Sequence, residues 1–353
     1  MSSEAPKVPS ALASAAAWCW RLIVIGVVVY GLMRILDTLR LVVLPFAIAL
    51  FLCALLNPIT ARLRRRMPPL AATWLTMLLA LGVLGGVGTF VGIQANDEFP
   101  HLINQVRHTV NDVQHWLVNG PLHLKNSQLE SAADSMLKQL QQERGKVANA
   151  AFTGATVAGE MIAALIFLLF VTFFLLKDGA GIWNWLISGF GRYRERTDQA
   201  GRAAWQTLSQ YVHGTVMVAA IHSIVIAVTL MIMGVPLIAP LAVVVFFGSF
   251  IPIVGIIVAG ALAVLVVLSA KGGIAALIFL GILIVEQQLE GHVLQPLVVG
   301  RWVRLHPLAI IIAITVGAVL GGIPGAAVAV PTVAVIYRAW PALRGRPEAE
   351  PSG

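Results

Sequence analysis

The chain has 353 residues, of which 58% are hydrophobic and only 11% charged, and its formal net charge is +8. Globular domains carry about 45–50% apolar and about 25% charged residues, so this composition excludes a water-soluble domain and points to an integral membrane protein. The basic excess does not indicate nucleic acid, because the lysines and arginines lie in short stretches between apolar runs, where they mark cytoplasmic loops.

Four stretches carry no Asp, Glu, Lys or Arg: 41–61, 67–96, 203–270 and 305–337. Each meets or exceeds the roughly 20 residues that cross a hydrocarbon core of ~30 Å. The start, "MSSEAPKVPSALASAAAWCW", has no compact apolar stretch ending in a cleavage site, so no cleavable signal peptide is expected. The first three spans are expected at 18–36, 39–59 and 70–93, closing an N-terminal unit of residues 1–93. Arg62, Arg64, Arg65 and Arg66 lie between the second and third spans. They place that loop, and with it the N-terminus, in the cytoplasm. Cys19 and Cys53 fall inside predicted spans and read as small packed residues rather than a disulfide or zinc framework.

Residues 94–150 then lie outside. Phe99, Leu102, Val106, Val110, Val113 and Leu117 recur at helical spacing, as do Leu129, Ala133, Met136, Leu140 and Val147. Asn119, Gly120 and Pro121 break the first helix, and the capping box "SQLE" at 127–130 starts the second. The segment reads as an extracytoplasmic helical hairpin whose stripes form a buried seam. Residues 151–213 supply the fourth span, ending in "FFLLKDG", and a basic interfacial helix with Arg192, Arg194, Arg196 and Arg202 preceded by Trp183, Trp185 and Phe190.

A unit of residues 214–340 follows, with a cytoplasmic tail at 341–353. Two of its apolar stretches are interrupted midway, 236–270 at "GSFIPIVG" and 306–337 at "GGIPG". Two breaks of one kind in segments of similar length suggest a weak internal repeat. Each segment is either a kinked full span, giving eight crossings, or a re-entrant hairpin with arms of about 24 Å. The positive-inside count leans to the hairpins, with Lys271 outside and Arg301 and Arg304 inside. The expected fold is thus an all-α polytopic membrane protein, with six to eight transmembrane helices, two broken or re-entrant helical hairpins and an extracytoplasmic helical insert.

A broken helix in a membrane leaves backbone groups without intrahelical partners, so it survives only where protein, water or a solute satisfies them. Gly248, Pro252, Gly255, Gly321, Gly322, Pro324 and Gly325 are therefore candidate substrate-pathway positions; the alternative is a kink that serves close packing. Gln287, Gln295 and Pro296 join them around "VEQQLEGHVLQP". Glu286 and Glu290 are four residues apart and share a helix face. Two carboxylates so close in a poorly hydrated place do not both ionise easily, and a shared proton or a Na⁺ ion would relieve the repulsion. A hydrated helix end is the alternative. No histidine has metal-ligand spacing, and no nucleophile elbow or phosphate loop occurs, so neither a metal, a cofactor nor an enzymatic reaction is expected. His222, alone in an apolar span, reads as a packed or hydrogen-bonded side chain.

"FFLLKDG", "YVHG", "FIPIVG", "EQQLEGHVLQPLVVGRWVRLHPL" and "GGIPGAAVAVP" in this order resemble the bacterial autoinducer-2 exporter family of membrane permeases, from Leu55 to Pro331. The resemblance implies a homopentameric secondary transporter of the bacterial inner membrane with a mobile C-terminal half. Family members are associated with export of the quorum-sensing signal autoinducer-2, or with exchange of Na⁺ or Li⁺ for protons. It maps the acidic motif onto Glu290 and marks Lys177, Asp178, Gly179, Tyr211, Gly214, His306 and Pro307 as motif residues without an assigned role. His292 departs from the pattern, which more often has asparagine there. The expected partners are the lipid bilayer, a small hydrophilic solute, H⁺ or Na⁺, and further copies of the chain. The expected function is proton-coupled export of such a solute, with Na⁺(Li⁺)/H⁺ antiport or a membrane scaffold as alternatives.

Overall fold

The structure is a computed structural model that describes residues 10–119, 159–252, 254–292 and 306–344. Its described elements are helical, with no strand among the described residues. Seven of the helices are long and apolar enough to cross a membrane. In chain order the described helices are α1 (Ser10–Thr38), α2 (Arg40–Leu63), α3 (Pro69–Asn119) and α4 (Gly159–Ser188), then a 3₁₀ turn (Gly191–Tyr193). There follow α5 (Arg194–Ile232), α6 (Ile238–Gly248), α7 (Val254–Lys271), α8 (Gly273–Leu289) and α9 (Pro307–Leu343).

Two helices run further than the apolar pattern alone marks out. α3 carries the third span on without interruption into the inserted segment and stops at Asn119, where Gly120 and Pro121 follow. The remainder of the insert, its capping box included, lies outside the described residues. α5 likewise joins the basic stretch to the fifth span, so the boundary expected at 213/214 falls inside one helix. Gly214 is its sole interior glycine after Gly201, and one glycine costs a helix only about 1 kcal/mol, too little to break it. Gly214 is buried.

Both interrupted segments fold back on themselves. Seven residues of straight helix would separate Gly248 from Gly255 by ~10 Å, yet a Cβ built on Gly248 would lie 2.9 Å from the Gly255 carbonyl oxygen and 3.2 Å from Ala259 Cβ. α6 and α7 are therefore the arms of a hairpin, and α6, at 11 residues, rises only ~16 Å. In α9 the backbone leaves helical geometry at Gly321 (φ −142°) and Gly322 (φ 60°, ψ −146°). The arms then approach so closely that a Cβ on Gly317 would lie 2.7 Å from Ala329 Cβ. Only residues without a Cβ permit such contact, and small residues are what helices use to close on one another in lipid. The two segments have the same design: Gly248, Gly255 and Ala259 in one, Gly317, Gly325 and Ala329 in the other.

α5 is the central element, packed by α9, α6 and α2, while α3 backs the α6–α7 hairpin. The largest core joins Ile226 and Leu230 of α5 to Leu241 and Val245 of α6, Ala263 and Val267 of α7, and Phe279 of α8. Leu230, Val267 and Phe279 are fully buried. A second seam in α2 and α3 is polar: Thr60 Oγ1 and Thr76 Oγ1 lie 3.2 Å apart while each also bonds a backbone carbonyl one turn back. Large apolar side chains such as Ile232, Ile274, Val319 and Ile323 point outward and are almost fully exposed, as lipid-facing positions require.

Candidate functional site

The folding back of α6–α7 brings a loop tip to mid-depth beside α5 and α8. His222 lies roughly 15 Å of helix rise from the end of α5 at Ile232. Ser249 follows the last residue of the 11-residue α6. Glu286 and Glu290 lie some 20–25 Å along α8 from Gly273. Three elements thus deliver their polar groups to one buried position.

The cluster is organised around the His222 imidazole, which is 2% exposed. Its Nε2 is 3.3 Å from Glu290 Oε2 and 4.0 Å from Glu286 Oε1. On the opposite edge, Nδ1 is 3.4 Å from the Ser249 hydroxyl. Gln287 donates from Nε2 to Glu290 Oε2 at 2.8 Å. Glu290 is itself 5% exposed, and there α8 widens into a π turn over 290–292, a distortion frequently found at functional sites. His222 Nε2 and Glu286 Oε1 are buried and lack a hydrogen bond within normal limits. Unsatisfied buried groups cost about 1–3 kcal/mol each, so what ties Nε2 to Glu290 Oε2 at 3.3 Å is charge rather than a well-aligned hydrogen bond.

A histidine between two carboxylates can share a proton with either, so the cluster can take up and release protons within the membrane-spanning body. Among the described residues no group of three or more His, Cys, Asp and Glu is placed to hold a metal ion. The helix-sharing of Glu286 and Glu290 was visible in their spacing. His222 and Ser249 were not read as partners of these acids, although a lone titratable residue in an apolar span is itself a signal, because such residues are costly in lipid.

The other sequence-marked residues lie elsewhere in the fold. Gly248 and Gly255 form the close contact of the first hairpin, and Gly325 meets Gly317 in the second. Pro252 sits in the first tip, its carbonyl accepting from Val254 N at 2.7 Å. Gly321 and Gly322 make the second tip, followed by Pro324, and Leu44 of α2 packs on Gly321. Tyr211 of α5 and Ile251 of the first tip pack on Ile314, Ala326 and Val330 of the second hairpin, so the two hairpins touch. Lys177 offers its carbonyl to Arg64 at 2.9 Å. Asp178 accepts from Gly181 N at 3.2 Å, and Gly179 faces open space. His306 is the N-cap of α9, its Nδ1 accepting from Leu308 N at 3.2 Å, with Pro307 in the first turn. Gln295 and Pro296 lie outside the described residues. His292 bonds the Gln288 carbonyl and is exposed.

A family model described as "AI-2E family transporter" matches residues 19–345. Relatives named "Putative transport protein" include MT0215 of Mycobacterium tuberculosis (strain CDC 1551 / Oshkosh) and YueF of Bacillus subtilis (strain 168). The first is 41% identical over 94% of this chain and 90% of its own length; the second is 28% identical over 83% and 81%. A third, named "Sodium-lithium/proton antiporter", from Halobacillus andaensis, is 27% identical over 80% of this chain and 84% of its own.

Proposed function

The chain belongs to the AI-2E transporter family, a family of multi-pass membrane transport proteins, and from that membership we propose that it is a secondary active transporter coupled to protons at His222, Glu286 and Glu290. The observation that carries the coupling is the buried approach of His222 Nε2 to the two carboxylates, at 3.3 and 4.0 Å. A titratable group inside the membrane is costly, and where one is kept it marks a transport or proton-relay path. The proposed cargo is a small hydrophilic solute, with an autoinducer-2-like signal as first choice from the resemblance. The exported solute passes beside the two hairpin tips, marked by Gly248, Pro252, Gly255, Gly321, Gly322, Pro324 and Gly325. Transport, rather than catalysis, is the assigned role.

The proposed orientation puts both termini in the cytoplasm of a bacterial inner membrane. The arginine-rich loop at 62–66 and the start of α5 lie on the inner side. Lys271, packed beside Gly234 at the far end of α5, lies on the outer side. A homo-oligomer, pentameric by resemblance, assembles through the exposed apolar faces.

Purified protein in liposomes with the pH clamped on each side, supplied in turn with small polyols, Na⁺ and Li⁺, tests the proposal. Solute flux that follows the imposed pH gradient and is lost in Glu290→Gln is the expected result. Flux with an unchanged pH dependence in Glu290→Gln removes the coupling role. A second reading, Na⁺(Li⁺)/H⁺ antiport, draws on the name of the Halobacillus andaensis relative. It predicts cation-driven alkalinisation or acidification of the lumen with no organic solute present.

A further inference from the structure

The hydroxyl of Ser249 has one hydrogen to give, and Val245 O, 2.8 Å away, takes it. Toward His222 the same oxygen therefore offers only a lone pair, so the 3.4 Å approach of Nδ1 requires a hydrogen on Nδ1. The other ring nitrogen faces carboxylates. With Nδ1 protonated, one further proton is shared between Nε2 and Glu290, either as imidazolium and carboxylate or as neutral ring and carboxylic acid. Removal of that proton to bulk water leaves a net charge of −1 on the pair and a ring with a single N–H. The two carboxylates draw this N–H to Nε2, leaving Nδ1 as a bare acceptor opposite the lone pair of Ser249.

We propose that Ser249 is a positioning residue that ties the tip of the first hairpin to the proton held by His222 and Glu290: its hydroxyl accepts from Nδ1 when the proton is present and must leave Val245 to face Nδ1 when it is gone. The tip then loses one of the bonds that fasten it to the end of α6. Its remaining ties there are the backbone bonds of Ser249 to Val245, Phe250 to Phe247 and Ile251 to Gly248, at 2.9, 3.2 and 2.9 Å. Ile251 carries the disturbance onward, because it packs against the second hairpin beside Ile314 and Val330. Among the described residues, the charged groups facing the imidazole are Glu286 and Glu290 from α8. Among the described residues the first hairpin contributes Ser249, and no hydrogen bond or ion pair joins the imidazole to α2 or α9, which also pack on α5. The latch deepens the proton-coupling reading above and names the element that the proton moves.

The test uses full-length protein in lipid nanodiscs and needs no transported solute. Ring-¹⁵N histidine spectra, with His222 assigned by His222→Gln, report which nitrogen carries hydrogen across about pH 5 to 9. Hydrogen exchange at the amides of Ser249, Phe250 and Ile251, normalised for intrinsic rate, reports the tip. The expected result is a Nδ1–H ring at low pH that becomes Nε2–H at high pH. With it comes a loss of tip protection of about fivefold, the size of one net hydrogen bond. Ser249→Ala and His222→Gln abolish the protection step and Ser249→Thr, which keeps the hydroxyl, preserves it. A ring that keeps Nδ1–H throughout, a wild-type tip whose protection does not change with pH, or a step that survives in His222→Gln or in a folded Ser249→Ala overturns the proposal. If Ser249→Ala does not fold, Ser249→Thr and His222→Gln decide. A protection step without proton-coupled flux defeats the coupling reading and leaves the latch; coupled flux without the step defeats the latch alone.

Discussion

Removing either member of the His222–Glu290 pair leaves the other buried without its partner, and the structure sets the size of that effect. At 3.3 Å and an effective dielectric constant of about 20, full unit charges would attract by about 5 kcal/mol before desolvation is charged against them. Breaking a buried pair from one side costs about 3–5 kcal/mol, because the uncompensated group stays in place. Glu290→Ala and His222→Ala are each expected to destabilise by about 3 kcal/mol, and the double variant by clearly less than their sum, for a coupling of about 2 kcal/mol. Glu286→Ala, acting from 4.0 Å, should couple to His222 more weakly. Reversible unfolding in mixed micelles, followed by far-ultraviolet circular dichroism as the denaturing detergent fraction rises, measures all members of the cycle. A His222–Glu290 coupling below about 0.5 kcal/mol, the additivity expected of independent sites, refutes the pairing.

Three further outcomes follow from other contacts. Gly248→Ala puts a methyl 2.9 Å from the Gly255 carbonyl oxygen; overpacking of this kind costs about 1–3 kcal/mol, seen as a lower melting temperature and faster hydrogen exchange in α6. A variant as stable as wild type would mean that the arms do not meet there. Arg64 donates from Nη2 to the carbonyls of Leu176 and Lys177, so Arg64→Ala should destabilise by about 1.5–3 kcal/mol. Arg64→Lys should recover only part of this, because an ammonium lacks the planar fork; full recovery would argue against a two-carbonyl grip. His306→Ala removes the N-cap of α9 and should cost about 0.5–2 kcal/mol, whereas His306→Asn, a better cap, should hold stability at or above wild type.

Much of the architecture was legible because lipid imposes strong composition rules. The four charge-free runs became α2, the apolar part of α3, the stretch from α5 to α7, and α9, and the glycine and proline breaks became hairpin tips. The choice between kinked spans and hairpins was not legible, since both place the same residues at the break. What decides it is the contact of Gly248 with Gly255 and of Gly317 with Gly325, a tertiary fact. The i, i+4 spacing of Glu286 and Glu290 gave their shared face, but not its partner. His222 lies 64 residues before Glu286 in the chain, and a uniformly apolar span carries no periodic signal of which side meets a neighbour. Ser249 was hidden for a related reason, because its role depends on where a hairpin tip lands. The continuity of α5 through Gly214 was missed because the change in polarity there looked like an end, whereas the backbone responds to helix propensity.

The glycine contacts within the first hairpin have a mechanical consequence. Arms that touch backbone to backbone near the tip have no side-chain layer to compress and no slack in which to bend. Such a pair behaves as a stiff lever. The positive backbone φ angles near it are those of Gly234 (61°), Leu237 (62°) and Gly272 (85°), all at the base where α5 passes to α6 and α7 to α8. Leu237 is the one non-glycine residue with positive φ among the described residues. A displacement of the tip by a fraction of an ångström is therefore delivered to a pivot some 16 Å away, and the strain held there belongs to the fulcrum.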